Sequence, residues 1–145
     1  MLWKRGIFAV ALVLGTIFGQ GCVDVHGGAI DLSWTIFAPN GQACCPNGDF
    51  CRAAGEGVRV RVRLHPDTCS TPPVDRFFAC PLVQGATAFD IFPDGAYCIA
   101  VDAIDATGAV VATGPGPVIR DIVRGDVVEL GAVALTVSQC PSPCP

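Results

Sequence analysis

The sequence has almost no lysine. Its one lysine, Lys4, lies in the first five residues; with Lys4 and Arg5 set aside, seven arginines face 13 acidic residues, a net charge of −6. Such a surface repels phosphate backbones and offers no polybasic patch for anionic lipid, so no nucleic-acid partner is expected. Histidine is nearly as scarce. His26 and His65 are the only two, and Ser33 and Ser70 stand in no nucleophile-elbow context, so a Ser-His-acid triad has no seat here. Cys-x2-Cys pairs and Cys/His knuckles are missing, which removes the usual zinc and thiol-redox signatures. No Asp-x-Asp-x-Asp-Gly loop marks a calcium site. No enzyme activity, cofactor or metal is therefore expected.

What is abundant points elsewhere. Gly and Pro number 17 and 12 in 145 residues, and both are unfavourable inside helices, so a β architecture is favoured over a helical bundle. Nine cysteines in so short a chain imply a disulfide framework in an oxidising compartment.

The first 21 residues supply the route to that compartment. Lys4 and Arg5 form a positive start, residues 7–18 an apolar run, and Gly19-Gln20-Gly21 a small-residue exit. A transmembrane helix needs roughly 20 apolar residues; the shorter run fits the core of a cleaved signal peptide. The exit leads directly to Cys22. A Cys immediately after Gly in this context resembles a bacterial lipoprotein signal, with Gly19 where that family usually carries Leu. The resemblance implies diacylglycerol on the Cys22 sulfur, cleavage before Cys22 and acylation (palmitate or a similar chain) of the new N-terminus. Gly19-Gln20-Gly21 equally suits ordinary secretory cleavage. Parity separates the two. With Cys22 lipidated, the other eight cysteines (Cys44, Cys45, Cys51, Cys69, Cys80, Cys98, Cys140 and Cys144) form an even set, enough for four bridges; otherwise one thiol is left over. Val23 follows the Cys where Asp would resemble an inner-membrane retention signal, so the outer membrane or periplasmic face is expected, with secretion as the alternative. The expected organisation is a signal peptide at 1–21, a lipidated Cys and tether at 22–28, and one domain at 29–145. A single domain of about this size has one core.

Along that domain, apolar residues alternate with polar ones over 30–36 and 58–64, the period of half-buried strands. Further strands are expected near 76–83, 87–92, 96–105, 110–113, 118–123 and 127–137. Pro39-Asn40-Gly41, Pro93-Asp94-Gly95, Ala106-Thr107-Gly108 and Arg124-Gly125-Asp126 punctuate them as turns. Residues 42–57 and 65–75 read as loops held by disulfides. A Cys69–Cys80 bridge is one option, and Cys80 reaching another segment is the other. At least one of Cys140 and Cys144, in the Pro-rich tail, is expected to tie back to the Cys44, Cys45 and Cys51 loop or to the body.

Arg59, Arg61 and Arg63 share the polar face of the second strand. They are candidate ligand-facing residues for an acidic partner. They also suit a solvated face with cross-strand Asp partners and protection against edge pairing. Asp90, Asp94, Asp102 and Asp105 suit turn-forming and solvating roles better than a calcium site.

The run Phe89-Asp90-Ile91-Phe92-Pro93-Asp94-Gly95-Ala96-Tyr97-Cys98-Ile99-Ala100-Val101, followed by Asp105-Ala106-Thr107-Gly108, resembles carboxypeptidase-regulatory and transthyretin-like domains over roughly 58–137. The resemblance implies an antiparallel Greek-key β-sandwich of seven or eight strands. Tyr97, Ile99 and Val101 would face inward, and Cys98 outward, where it could fasten a loop. The function expected is a lipid-anchored cell-envelope module with a structural role or an interaction with protein or polysaccharide. The alternative is a secreted binder of a small ligand or metal.

Overall fold

The computed structural model describes residues 25–45, 50–53 and 57–140. The expected signal peptide, the lipid site Cys22 and Cys144 lie outside the described residues. Among the described residues eight strands join in one sheet: β1 (Ala29–Phe37), β2 (Arg59–Pro66), β3 (Val74–Ala79), β4 (Gln84–Ala86), β5 (Gly95–Ile104), β6 (Val110–Thr113), β7 (Val118–Ile122) and β8 (Val127–Val137). Helix among the described residues is limited to α1 (Phe50–Ala53), one turn inside the expected 42–57 loop, and a 3-10 turn at Cys80–Leu82. The all-β expectation holds.

The sheet runs β3-β2-β5-β6-β8-β1-β4, with β7 also on β5, and curls into a nearly closed barrel-like surface. It is mixed, which corrects the expectation of antiparallel pairing throughout. β1 lies parallel to β8, and every other pair is antiparallel. A parallel pair needs a long crossover; here β2 to β7 lie between its two strands. The two ends of the sheet meet at a seam between β3 and β4. Phe78 fills it: a Cβ on Gly85 would lie 2.4 Å from the Phe78 ring, so only glycine lets the ring across. Trp34 closes the same seam from β1, its ring centroid 6.1 Å from that of Phe78 and its Nε1–H donated to the Cys80 carbonyl at 3.0 Å.

Alternation explains the core. Ile30, Leu32, Trp34 and Ile36 of β1 and Val60, Val62 and Leu64 of β2 point inward, the two-residue period of half-buried strands. β8 is less simple: its apolar residues occupy even positions at Val128 and Leu130, then odd ones at Val133, Leu135 and Val137. Gly131, with φ of 70°, reconciles them. The register jumps there, from Asp31 opposite Glu129 to Leu32 opposite Gly131. One extra residue on β8 turns both apolar sets toward the core, and a bulge at a left-handed glycine does this without steric strain.

Two strand expectations need correction. The strand expected over 76–83 ends at Ala79, because Pro81 cannot donate to a ladder and Cys80–Leu82 coils into a 3-10 turn capped by Val83 at φ 55°. The strand expected over 87–92 does not form; the nearby strand is β4. Residues 87–92 instead hydrogen-bond piecemeal to β1 and the segment leading into it, with Thr87 N–H donated to the Ile30 carbonyl and Ile91 N–H to that of Gly28. The packed body also begins before residue 29. Gly27 and Gly28 are buried, and their amides donate to the Phe89 and Ile91 carbonyls at 2.9 and 3.1 Å.

Three disulfides have both ends described: Cys44–Cys140, Cys51–Cys80 and Cys69–Cys98. Cys45 is disulfide-bonded as well. The Cys69–Cys80 option is therefore overturned. Cys80, at the seam, instead holds α1 through Cys51, while Cys69 reaches across to β5. Cys140 does tie the tail to the Cys44 loop. Such bonds belong to an oxidising, extracytoplasmic setting.

Candidate functional site

β2 lies between β3 and β5, so its polar face sits mid-sheet and not on an edge; edge protection is not the role of its arginines. Across β2, Arg61 opposes Phe77 on one side and Asp102 on the other, and Arg63 opposes Asp75 and Ala100. Period-two geometry places all of these on the outer face. Asp102 accepts a two-pronged contact from Arg61, Nε to Oδ1 at 2.8 Å and Nη2 to Oδ2 at 2.6 Å. The planar guanidinium matches a carboxylate in this way, as lysine could not. The pair is largely covered, with 11% and 16% of the two side chains exposed. The Asp102 hydrogen bonds hold the Arg61 guanidinium above its ordinary value, against the downward pull of burial.

Arg63 is more open. Its Nε lies 3.9 Å from Asp102 Oδ2, beyond hydrogen-bond reach, and neither that Nε nor Asp75 Oδ1 has a hydrogen-bond partner among the described residues. Arg59 takes a third arrangement, with its guanidinium carbon 4.6 Å from the centroid of the Phe77 ring. Phe77 is 45% exposed. Three arginines against Asp75 and Asp102 make this face locally cationic on an acidic molecule, with an exposed aromatic ring beside the cation.

One end of the face is roofed over. Cys98, opposite His65 in register, is fully buried yet stands apart from the hydrophobic core. The cover is the loop 67–73, held by the Cys69–Cys98 bond, a 2.6 Å contact between His65 Nδ1 and the Thr71 carbonyl, and the Thr71 hydroxyl donated to the Pro66 carbonyl. Cys98 thus fastens a loop to the sheet, while Tyr97 and Ile99 face the core and Val101 packs at its margin.

The acidic residues have separate tasks. Asp102 serves Arg61. Asp90 accepts from Arg76 at 3.1 Å. Asp105 builds the β5–β6 turn, its Oδ1 accepting from the Thr107 amide and hydroxyl and the Ala109 amide. Those donors, the Thr107 hydroxyl first, hold its carboxyl below the ordinary value of 3.8. Among the described residues no group of three or more His, Cys, Asp or Glu converges as a metal site.

Sequence reasoning missed a second feature. Asp31, Leu32, Ser33, Gln84, Glu129, Gly131 and Ala132 line an open groove of about 310 Å³. Asp31 and Glu129 stand opposite each other across the parallel β1–β8 pair, a like-charge arrangement that is unfavourable without a counter-charge. Each residue alternates outward in its own strand, but the parallel pairing that joins them has no local signature. No family model matches the chain, and no curated protein matches it.

Proposed function

We propose that this chain is an exported, lipid-anchored module of the cell envelope that works by contact. Its Arg59, Arg63 and Phe77 face docks an acidic polysaccharide; an acidic patch on an envelope protein is the other occupant of the same chemistry. The observation that carries the reading is the Arg59 guanidinium stacked on an exposed Phe77 ring within a locally cationic face. Aromatic rings stack on sugar faces and guanidinium groups fork onto carboxylates, so the combination suits a polyuronate. The sequence likeness to carboxypeptidase-regulatory and transthyretin-like Greek-key sandwiches belongs to this proposal. The inward Tyr97 and Ile99, with Cys98 on the opposite face, support it.

Cysteine arithmetic supports the anchor. All seven described cysteines are disulfide-bonded. Cys22 and Cys144 are the two cysteines left. Pairing Cys45 with Cys144 frees Cys22 for a thioether to lipid. Intact mass of the protein purified from membranes reads cleavage, acyl chains and thiols together. The expected species starts at Cys22, carries acyl chains and has no free thiol. Cys22→Ser is expected to move the protein into the soluble fraction, and retention on membranes rejects the anchor.

For the face, titration with a soluble polyuronate is expected to show binding that weakens with salt. Phe77→Ala or Arg59→Ala should each lower affinity about threefold, the scale of an exposed cation–π contact. Equal binding by both variants rejects the docking face. The small-ligand reading keeps one supporting observation, the Asp31 and Glu129 groove, which would favour a cationic or polyhydroxy ligand.

A further inference from the structure

The described chain enters the barrel beside the β7–β8 turn. The Gly27 carbonyl accepts from the Gly125 amide at 3.1 Å, and Val25 Cγ1 lies 3.9 Å from where a Cβ on Gly125 would stand. Gly28 is wedged between two segments: it pairs with Ile91, and a Cβ there would lie 2.8 Å from the Val123 carbonyl. Both segments expose apolar side chains at this end of the barrel. Phe92 is 64% exposed, Val123 and Val127 49% each, and Val25 36%. The Arg124 guanidinium stands 5.8 Å from the Phe92 ring centroid and joins the two segments. Four apolar residues and one cation thus surround the point of entry.

We propose that this end of the barrel rests on the surface of a lipid bilayer. The inference rests on the lipid at Cys22 proposed above and adds a contact surface and an orientation. Only Val23 and Asp24 separate Cys22 from Val25. Three residue steps span at most about 10 Å. Gly27 and Gly28 are packed, so the tether has little slack and does not lift the domain clear as the 22–28 boundary would suggest. Acyl chains on Cys22 therefore bring Val25, Phe92 and Val123 to headgroup depth, where even a weak apolar contact persists because it is intramolecular in effect. The exposed Asp94 and Asp126 nearby oppose an anionic surface, so the surface proposed is a zwitterionic one. β5, ten residues long, spans about 33 Å. The opposite end, where β2 starts at Arg59 and β6 at Val110, then faces away from the bilayer, and the Arg59–Phe77 contact is presented outward.

The test uses the lipid-modified chain purified from membranes, placed in phosphatidylcholine vesicles with or without brominated acyl chains. Single variants put a tryptophan reporter at either end: Phe92→Trp near the entry point and Val110→Trp at the far end. Both sites are exposed, and the buried Trp34 gives a common background. Brominated lipid is expected to lower the emission added by Phe92→Trp roughly twofold or more, as for an interfacial side chain, and to leave that of Val110→Trp unchanged. Equal quenching at the two sites, in protein that floats with the vesicles, overturns the orientation and leaves the anchor standing. Protein that does not float with the vesicles overturns the anchor and this inference together.

Discussion

Tyr97 combines an inward ring with a polar end. The side chain is 3% exposed, and its hydroxyl donates to the Pro93 carbonyl four residues back, bracing the turn into β5. Burial first, then the nearby Asp67 and Asp94, hold its phenol above the ordinary value of 10.0. The folded state therefore keeps a proton that the unfolded chain releases. The associated stability is intact below about pH 10 and is lost as pH rises through the raised folded value. Tyr97→Phe is expected to destabilise by about 1 kcal/mol at neutral pH, the net worth of one hydrogen bond, and to flatten the alkaline limb of a denaturation series. An alkaline limb unchanged in the variant would count against this assignment. Asp105 behaves oppositely. Its lowered carboxyl contributes stability above the ordinary 3.8, lost as pH falls through the folded value. Asp105→Ala should lower the melting temperature at neutral pH and narrow the gap to wild type in acid.

At the scale of elements, strands announced themselves wherever one face was apolar and one polar. β1 and β2 lie within two residues of expectation, because a period of two in the sequence is the pleat itself, and β5, β6 and β7 lie within a residue of it because turn residues bound them. β8 also lies where expected, although its two apolar sets conflict unless a bulge joins them. Gly131→Ala tests that join: nothing lies within 4 Å of the added methyl, so the whole effect is the left-handed backbone, about 1–2 kcal/mol. A variant of wild-type stability would show that the bulge carries no conformational demand. Residues 87–92, expected as a strand ahead of the Pro93-Asp94-Gly95 turn, instead make isolated contacts to Gly28 and Ile30, which lie some 60 residues earlier and have no local trace. The polar face of β2 was legible as a candidate site, whereas its partners Asp102 and Phe77 became visible only with the register.

For the molecule as a whole, covalent bonds supplement the hydrophobic core. The Cys44–Cys140 bond closes a loop of 96 residues, and the Cys51–Cys80 and Cys69–Cys98 bonds each close one of 29. On the chain-entropy account such loops stabilise by about 4.7 and 3.6 kcal/mol respectively. Full reduction is therefore expected to lower the melting temperature sharply or abolish folding at 37 °C. Identical melting with and without reductant would remove disulfides from any stabilising role. Cys51→Ala with Cys80→Ala should loosen α1 and the seam at Trp34, which hydrogen–deuterium exchange of the Trp34 and Val83 segments would report.

The sequence alone determined the β class, most strand positions, the disulfide habit and the alternating face of β2. Each follows from local period, turn chemistry or residue counts. The parallel β1–β8 pair, the choice of Cys98 for Cys69 and Cys51 for Cys80, the Phe78 seam and the burial of Gly27 and Gly28 were decided only in three dimensions. Pairing partners are chosen by the total surface the folded chain can bury, and that sum is not written in any single stretch of residues.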